Sequence, residues 1–293
     1  MLLTPSLIPL IILALLTLHV LLISLDAFKS YGVNLILGVV WDPPSQSYGL
    51  LPALAGTLIS SFISAIIATP ISVSLMFLIG DLLPKSASRI LHRLVEVMGS
   101  IPTVIYGLWG STIVAEFLRS QVYSPLYSYL GFLPLFSCEP LSGQSILTAG
   151  VVLGFSIIPF ASSLLIEGYR ALPVKYLEAA YSLGFYRFEA YRLLLGVMKP
   201  IIVASVLLSL SRALGETTIV TLTIGNAYLL SPCLFNPGST ISSWVVNQFE
   251  SSFLYPGAFQ ALYSGVLLVM ILALIFSYIG VSLINKWQGV IYG

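Results

Sequence analysis

Long apolar runs between the charged residues are the feature of this sequence that most limits how it can fold. A helix needs about 20 apolar residues to cross a hydrocarbon core about 30 Å thick. Runs of about that length lie approximately at residues 6–25, 53–79, 95–117, 146–166, 201–222 and 261–284. The chain is 58% hydrophobic and only 8% charged, a composition foreign to soluble globular domains. We therefore predict an all-α membrane protein with six transmembrane helices.

The chain is predicted to form a single transmembrane domain over residues 1–293, because no internal repeat or low-complexity segment divides it. The core of this domain is expected at residues 53–285, after a first anchor helix at residues 6–25. That first run lacks the basic start and the small-residue cleavage site of a signal peptide. We therefore expect it to be retained as a membrane anchor.

Lysine and arginine residues are distributed unevenly among the predicted loops. One set of alternate loops carries Lys85, Arg89, Arg93, Arg170, Lys175, Arg187, Arg192, Lys199 and Lys286. The opposite set carries only Lys29 and Arg119. By the positive-inside rule the first set is cytoplasmic, so both termini are predicted to face the cytoplasm. The formal net charge of +1 gives no basic surface of the kind that nucleic-acid binding requires.

The two cysteines, Cys138 and Cys233, both fall in predicted outer loops. An oxidising exterior would permit a disulfide between them, and two free thiols are an equally good interpretation. The sequence has no CxxC pair, and neither His19 nor His92 is near the cysteines in sequence. The pattern therefore predicts no metal site.

The most polar stretch of the chain, residues 167–200, nevertheless has helical periodicity. It is predicted to form two short amphipathic helices around Gly184. Glu178, Ala179 and Ala180 would then form a narrow face of small residues that could fit into a groove on a partner protein. The alternative is a helix that lies on the membrane surface, which the cations of this stretch would favour through anionic lipid.

The fifth apolar run contains polar residues that would share one face of a continuous helix: Ser205, Ser209, Arg212, Glu216 and Thr223. An arginine near the bilayer centre costs about 2.5 to 3.5 kcal/mol, so it is retained where it faces protein or water and has a partner. Two interpretations follow. Arg212 and Glu216 form a neutral pair that only fixes helix packing, or Arg212 binds an oxyanion in transit.

The oxyanion interpretation rests on the shape of the guanidinium group. Its planar fork of donors matches phosphate or sulfate, and the hydroxyls of Thr217 and Thr218 could add weaker donors. Glu216 would hold the fork of Arg212 in place between transport events. It could also accept the proton that hydrogen phosphate carries and sulfate lacks.

The polar stretch also resembles a known family. ALP at residues 171–173, EAA at residues 178–180 and Gly184 are similar to the EAA loop of type I ABC importer permeases, a helix pair that docks into ATPase subunits. One departure bears on the helix boundary, because Gly196 and Val197 stand where the family usually has Leu-Pro, and Pro200 follows. The resemblance implies that Glu178, Ala179, Ala180 and Gly184 couple this chain to the ATPase.

Two further segments resemble the phosphate importer permeases of the PstC type. RALGET at residues 212–217, followed by IGN at residues 224–226, is similar to their fifth-span signature. IPTVIYGLWG at residues 101–110 is similar to their third span. The resemblance implies a type I ABC transporter permease fold and a substrate path that includes Arg212, Glu216 and Thr217.

The same resemblance implies partners for the chain in a prokaryotic cell membrane. These are a sister permease of the PstA type, a dimer of ATP-binding subunits, an extracytoplasmic phosphate-binding protein and membrane lipid. The chain itself has no GxxxxGK[ST] loop, so ATP and Mg²⁺ are expected on the partner ATPase and no cofactor is expected here. It also lacks the HExxH, Ser/His or Asp-pair patterns of an intramembrane enzyme.

Two alternatives remain open from the residues. A single arginine does not choose among tetrahedral oxyanions, so a sulfate or molybdate permease would fit Arg212 equally well. A secondary transporter or channel could also use Arg212 and Glu216, although it would not need an EAA loop.

Overall fold

The computed structural model describes residues 3–292, most of which are helical. In chain order the helices are α1 (Leu3–Tyr31), α2 (Asn34–Leu37), α3 (Leu51–Phe77), α4 (Lys85–Ser100), α5 (Thr103–Trp109), α6 (Ala115–Leu118), α7 (Ser124–Leu130), α8 (Ile146–Arg170), α9 (Lys175–Ser182), α10 (Arg187–Leu214), α11 (Thr218–Thr223), α12 (Ile241–Gln248) and α13 (Ala258–Tyr292). Two short antiparallel strands, β1 (Trp41–Asp42) and β2 (Ser47–Tyr48), form a hairpin between α2 and α3. The helical architecture is therefore confirmed.

Five of the six predicted spans are confirmed as helices that are long and apolar enough to cross a membrane. They are α1, α3, α8, α10 and α13, and α3 continues through a π-helical turn at Leu78–Leu82. All except α10 cover the whole apolar run that predicted them, and each begins or ends beyond it, whereas α10 ends at Leu214, before residue 222. The extension is expected, because polar residues at the ends of a spanning helix add turns outside the hydrocarbon.

The third predicted span, at residues 95–117, is a bent pair of helical segments. The chain bends by 89° between α4 and the helical stretch that runs from Thr103 to Leu130. Ile101 and Pro102 at the break both have extended backbone, with ψ of 126° and 137°. The proline ring explains this break, since it disfavours helical backbone at the residue before it. Counted as one span, this bent pair is the sixth.

The beginning of the fifth span also differs from the prediction. Helix α10 starts at Arg187 and continues through Gly196 and Pro200 to Leu214. The predicted second short helix after Gly184 is therefore the first part of this long helix. Proline within a membrane helix is tolerated when neighbouring groups satisfy the freed backbone carbonyl.

Helices α3 and α8 pack closely in the centre of the protein. A Cβ atom added at Gly150 would lie 2.6 Å from the Cβ atom of Ile63, so only glycine permits this approach. Gly154 makes a similar approach to Ile67 one turn later. The small residues allow the backbones to pack where hydrophobic attraction between helices is weak.

The loop that follows α7 is joined covalently to the loop that follows α11. Cys138 and Cys233 form a disulfide, which settles the alternative that the sequence left open. Beside it, Phe235 stacks on Tyr123 and on Phe136, with ring centroids 4.5 Å and 5.5 Å apart. The disulfide and the stacked rings together hold these two loops as one unit at the N-terminal end of α8.

Candidate functional site

Arg212 lies in the last turn of α10, where its side chain is exposed on the surface of the chain. Ser205 and Ser209, earlier on the same helix, are buried instead, and the Ser205 hydroxyl donates to the carbonyl of Ala161 at 3.3 Å. The predicted polar stripe is therefore divided between two environments. Arg212 alone among these three residues is available to a ligand or a partner.

Glu216 does not lie one turn beyond Arg212 on a continuous helix, as the spacing predicted. Helix α10 ends at Leu214, Gly215 follows as its cap, and α11 begins at Thr218. The Oε1 atom of Glu216 accepts the backbone N–H of Ile219 at 3.3 Å. The carboxylate therefore serves the first turn of α11, where free N–H groups attract negative charge.

The predicted ion pair between Arg212 and Glu216 is not formed. Among the residues whose side chains are described, ion pairs join His92 to Glu96 and Arg119 to Glu116, and neither pair includes Arg212 or Glu216. The guanidinium of Arg212 instead lies over the ring of Phe160, with 5.3 Å between its central carbon and the ring centroid. The attraction between a cation and an aromatic face holds the side chain without neutralising its charge.

Thr217 lies at the joint between α10 and α11. Its hydroxyl donates to the carbonyl of Gly215 at 3.4 Å, and its own carbonyl accepts the hydroxyl of Thr221 at 2.7 Å. The joint is therefore held by short-range hydrogen bonds. Because the bond from Thr217 to Gly215 is long and therefore weak, the hydroxyl of Thr217 could donate to a stronger acceptor instead.

The structure brings Arg212 and Glu216 to one narrow cleft between the broken third span, α8 and α10. Thr103 and Tyr106 from α5 also line it, and the Tyr106 hydroxyl donates to the carbonyl of Met98 at 3.0 Å across the bend. The free space is about 10 Å³, which is room for about one water molecule. In this conformation the cleft exposes charges and hydroxyls but does not enclose an anion.

A wider groove of about 260 Å³ opens on the other side of Arg212. It shares Ser156 and Arg212 with the narrow cleft and adds Glu96, Phe160 and Ser163. Glu96 and Phe160 were not predicted as site residues. The carboxylate at the start of the third apolar run, four residues after His92, was the available sequence signal for Glu96. No sequence signal indicated Phe160, since aromatic residues are common in membrane spans.

The predicted coupling residues lie together around α9, which ends in a left-handed turn. Gly184 has φ of +82°, a conformation that favours glycine. The N–H of Phe185 donates to Ala180 at 3.3 Å and the N–H of Gly184 donates to Tyr181 at 3.0 Å. This is the Schellman arrangement that satisfies the last carbonyls of a helix.

The surface around that turn is apolar and accessible. Glu178 and Ala179 are exposed, whereas Ala180 is fully buried against the rest of the chain. Tyr186 and Phe188 beyond the turn are each 81% exposed. The predicted face of three small residues is thus two residues wide, and large exposed side chains lie beside it.

Comparison with known proteins shows that this chain is similar to components of transport systems. Residues 78–290 match the family model described as binding-protein-dependent transport system inner membrane component. The chain is 36% identical to the probable phosphate transport system permease protein PstC of Methanocaldococcus jannaschii, over 90% of this chain and 85% of that protein. It is 35% identical to the phosphate transport system permease protein PstC of Pasteurella multocida, over 91% and 85%. The corresponding protein of Haemophilus influenzae is 33% identical over 95% and 90%.

Proposed function

Because the chain belongs to the family of binding-protein-dependent transport system inner membrane components, we propose that it is a membrane-spanning subunit of an ATP-binding-cassette importer that translocates inorganic phosphate. The named function of the similar proteins supports phosphate over sulfate or molybdate. Dependence on a binding protein, which the family description states, argues against a secondary transporter or a channel.

The observation in this chain that carries the proposal is the exposed guanidinium of Arg212 at the end of a membrane-spanning helix. Exposure to lipid would be costly, so this surface is expected to face water or another protein. We place the substrate path there, between this chain and its sister permease. The path contains Arg212, Glu216 and Thr217, and the sister subunit supplies its other wall.

Each of these residues has a separate task in the path. The planar donors of Arg212 bind two phosphate oxygens at once. Thr217 adds a hydroxyl after releasing its 3.4 Å hydrogen bond to Gly215. Glu216 lines the same cleft and could accept the proton of hydrogen phosphate, which sulfate lacks. The narrow cleft must open for this, since its free volume of about 10 Å³ holds about one water molecule.

Helix α10 supplies the mechanical connection between ATP and this site. It is continuous from Arg187 to Leu214 and therefore about 40 Å long. Its first turn follows Gly184 directly, and Arg212 lies in its last turn. A displacement of α9 by the ATPase would move α10 and carry Arg212 with it. Glu178, Ala179, Ala180 and Gly184 form the coupling element in this scheme.

The remaining components follow from the same proposal. ATP and Mg²⁺ bind to a pair of partner ATPase subunits, and an extracytoplasmic phosphate-binding protein delivers the substrate. Helix α9 and both termini face the cytoplasm of a prokaryotic cell, as the excess of lysine and arginine in these segments favours. The Cys138–Cys233 disulfide then lies outside, where thiols are oxidised.

The test is ATP-driven uptake of phosphate by proteoliposomes that contain this chain with its binding protein, sister permease and ATPase. We expect uptake to resist excess sulfate. Arg212→Ala should reduce it at least about 100-fold, because a charge-assisted hydrogen-bond pair to the anion is lost. Arg212→Lys is the matched control that keeps the charge and loses the fork, and it should retain intermediate activity. Wild-type complex that transports sulfate as well as phosphate would refute the substrate assignment.

A further inference from the structure

The positive charge of Arg212 is not paired with Glu216, the predicted partner. Glu216 accepts the N–H of Ile219, and Phe160 lies under the guanidinium. A cation in a membrane protein that lacks a bound anion gains from a nearby carboxylate. The groove beside Arg212 shows which carboxylate is placed to supply it.

Glu96 on α4 lines the groove of about 260 Å³ together with Arg212 on α10. Helix α8 forms the wall between them with Ser156, Phe160 and Ser163, none of which is charged. Among the described residues that line this groove, Glu96 is therefore the one carboxylate and Arg212 the one cation. The side chain of Glu96 is 59% exposed, so it is free to change rotamer.

Glu96 also has a histidine as a neighbour on its own helix. The Nε2 atom of His92 lies 3.4 Å from its Oε1 atom, one helical turn away on α4. A pair of this kind on a helix surface is weak, about 0.2 to 0.5 kcal/mol. His92 therefore does not hold Glu96 strongly away from the groove.

The position of α4 relative to α8 is fixed near this groove. A Cβ atom at Gly99 would lie 3.2 Å from the Cβ atom of Pro159, so the two helices are in close contact one turn beyond Glu96. Pro159 lies near the middle of α8. Glu96 and Arg212 thus line the groove from two helices held on the same central segment of α8.

We propose that Glu96 is the carboxylate that exchanges with phosphate at Arg212. By a change of rotamer it moves against the guanidinium as phosphate leaves, and it competes with phosphate for Arg212 when the path is loaded. Glu96 lies on α4, the helix that also carries Lys85, Arg89 and Arg93 and whose basic start is predicted to be cytoplasmic. Competition from that side favours release of the anion inward. This role rests on the proposed phosphate path.

The experiment measures equilibrium binding of radiolabelled inorganic phosphate to the purified complex of this chain, sister permease and ATPase. Glu96→Gln removes the competing charge and keeps the size of the side chain. We expect it to bind phosphate about three- to fivefold more tightly, the range for a partly exposed ion pair. At saturating phosphate, uptake into proteoliposomes should slow by a similar factor, because release is delayed.

Two further variants separate this role from a structural one. His92→Gln removes the other partner of Glu96 and should leave phosphate affinity within about twofold of wild type. Glu96→Asp keeps the charge on a shorter side chain, and its phosphate affinity should lie between those of wild type and Glu96→Gln. Unchanged or weaker phosphate binding in assembled Glu96→Gln would overturn the role of Glu96 while the proposed function stands. Wild-type complex without phosphate binding would overturn both.

Discussion

Substitutions at Gly184 separate the folding of the coupling turn from its contact with the ATPase. Gly184 has φ of +82°, and a Cβ atom built there meets nothing within 4 Å. Any ordinary L residue therefore pays the left-handed backbone cost of about 1 to 2 kcal/mol without a steric clash inside this chain. Gly184→Ala and Gly184→Trp carry the same backbone cost. They differ in the bulk that they place on the exposed surface.

The two variants should therefore have similar thermal stability and different activity. We expect Gly184→Ala to lower phosphate-stimulated ATP hydrolysis by a few fold, because α9 loses part of its C-terminal cap. Gly184→Trp should abolish stable association with the ATPase, since the indole would occupy the space of the docking groove. Gly184→Asn is the matched control for strain, because asparagine tolerates the left-handed region better than alanine does.

The assay has three readouts on the same preparations: co-purification with the ATPase, ATP hydrolysis stimulated by the loaded binding protein, and thermal unfolding of the purified chain. The decisive comparison is between alanine and tryptophan. Full association of both variants with the ATPase would refute the placement of Gly184 in the interface. Equal loss of association in both variants would assign the effect to the strained turn and not to the contact surface.

Two other predictions concern the packing of the domain. Gly150→Ala should destabilise the chain by about 1 to 3 kcal/mol in thermal unfolding, since the added Cβ atom would lie 2.6 Å from the Cβ atom of Ile63. Gly196→Ala on α10 is the control, because its added Cβ atom meets nothing within 4 Å and the substitution should be neutral or stabilising. Equal stability of the two variants would refute the close contact of α3 with α8. Replacing Cys138 and Cys233 by serine should cost about 2 to 4 kcal/mol and abolish the effect of reductant on the melting temperature. A wild-type melting temperature that reductant does not change would contradict a stabilising disulfide.

The membrane spans could be predicted because length and apolarity are properties of a stretch of sequence alone. The runs at residues 146–166 and 261–284 correspond to α8 and α13 without a break. The size of the bend at Pro102, 89°, could not be predicted from the hydrophobicity of the run, because a window of hydrophobicity does not report direction. The Ile101-Pro102 dipeptide was the local sign of it, through the restriction that proline places on the preceding residue.

Site residues of a type that is rare in membrane spans were predicted, and those of a common type were missed. Arg212 was predicted because a cation within an apolar run requires an explanation. Its stacking on Phe160 could not be predicted, because the contact joins two helices and depends on their packing. The disulfide was left open for the same reason, since Cys138 and Cys233 are 95 residues apart and their approach depends on tertiary structure.

Two breaks in the membrane helices lie beside the candidate site. The bend at Ile101 and Pro102 brings Thr103 and Tyr106 into the cleft that Arg212 lines. The end of α10 at Gly215 turns Glu216 toward α11. Irregular backbone at membrane depth is tolerated where it is buried in protein or lines a water-filled cavity, because its polar groups then find partners. Since these two breaks line the cleft with Arg212, they provide independent support for a substrate path at this position.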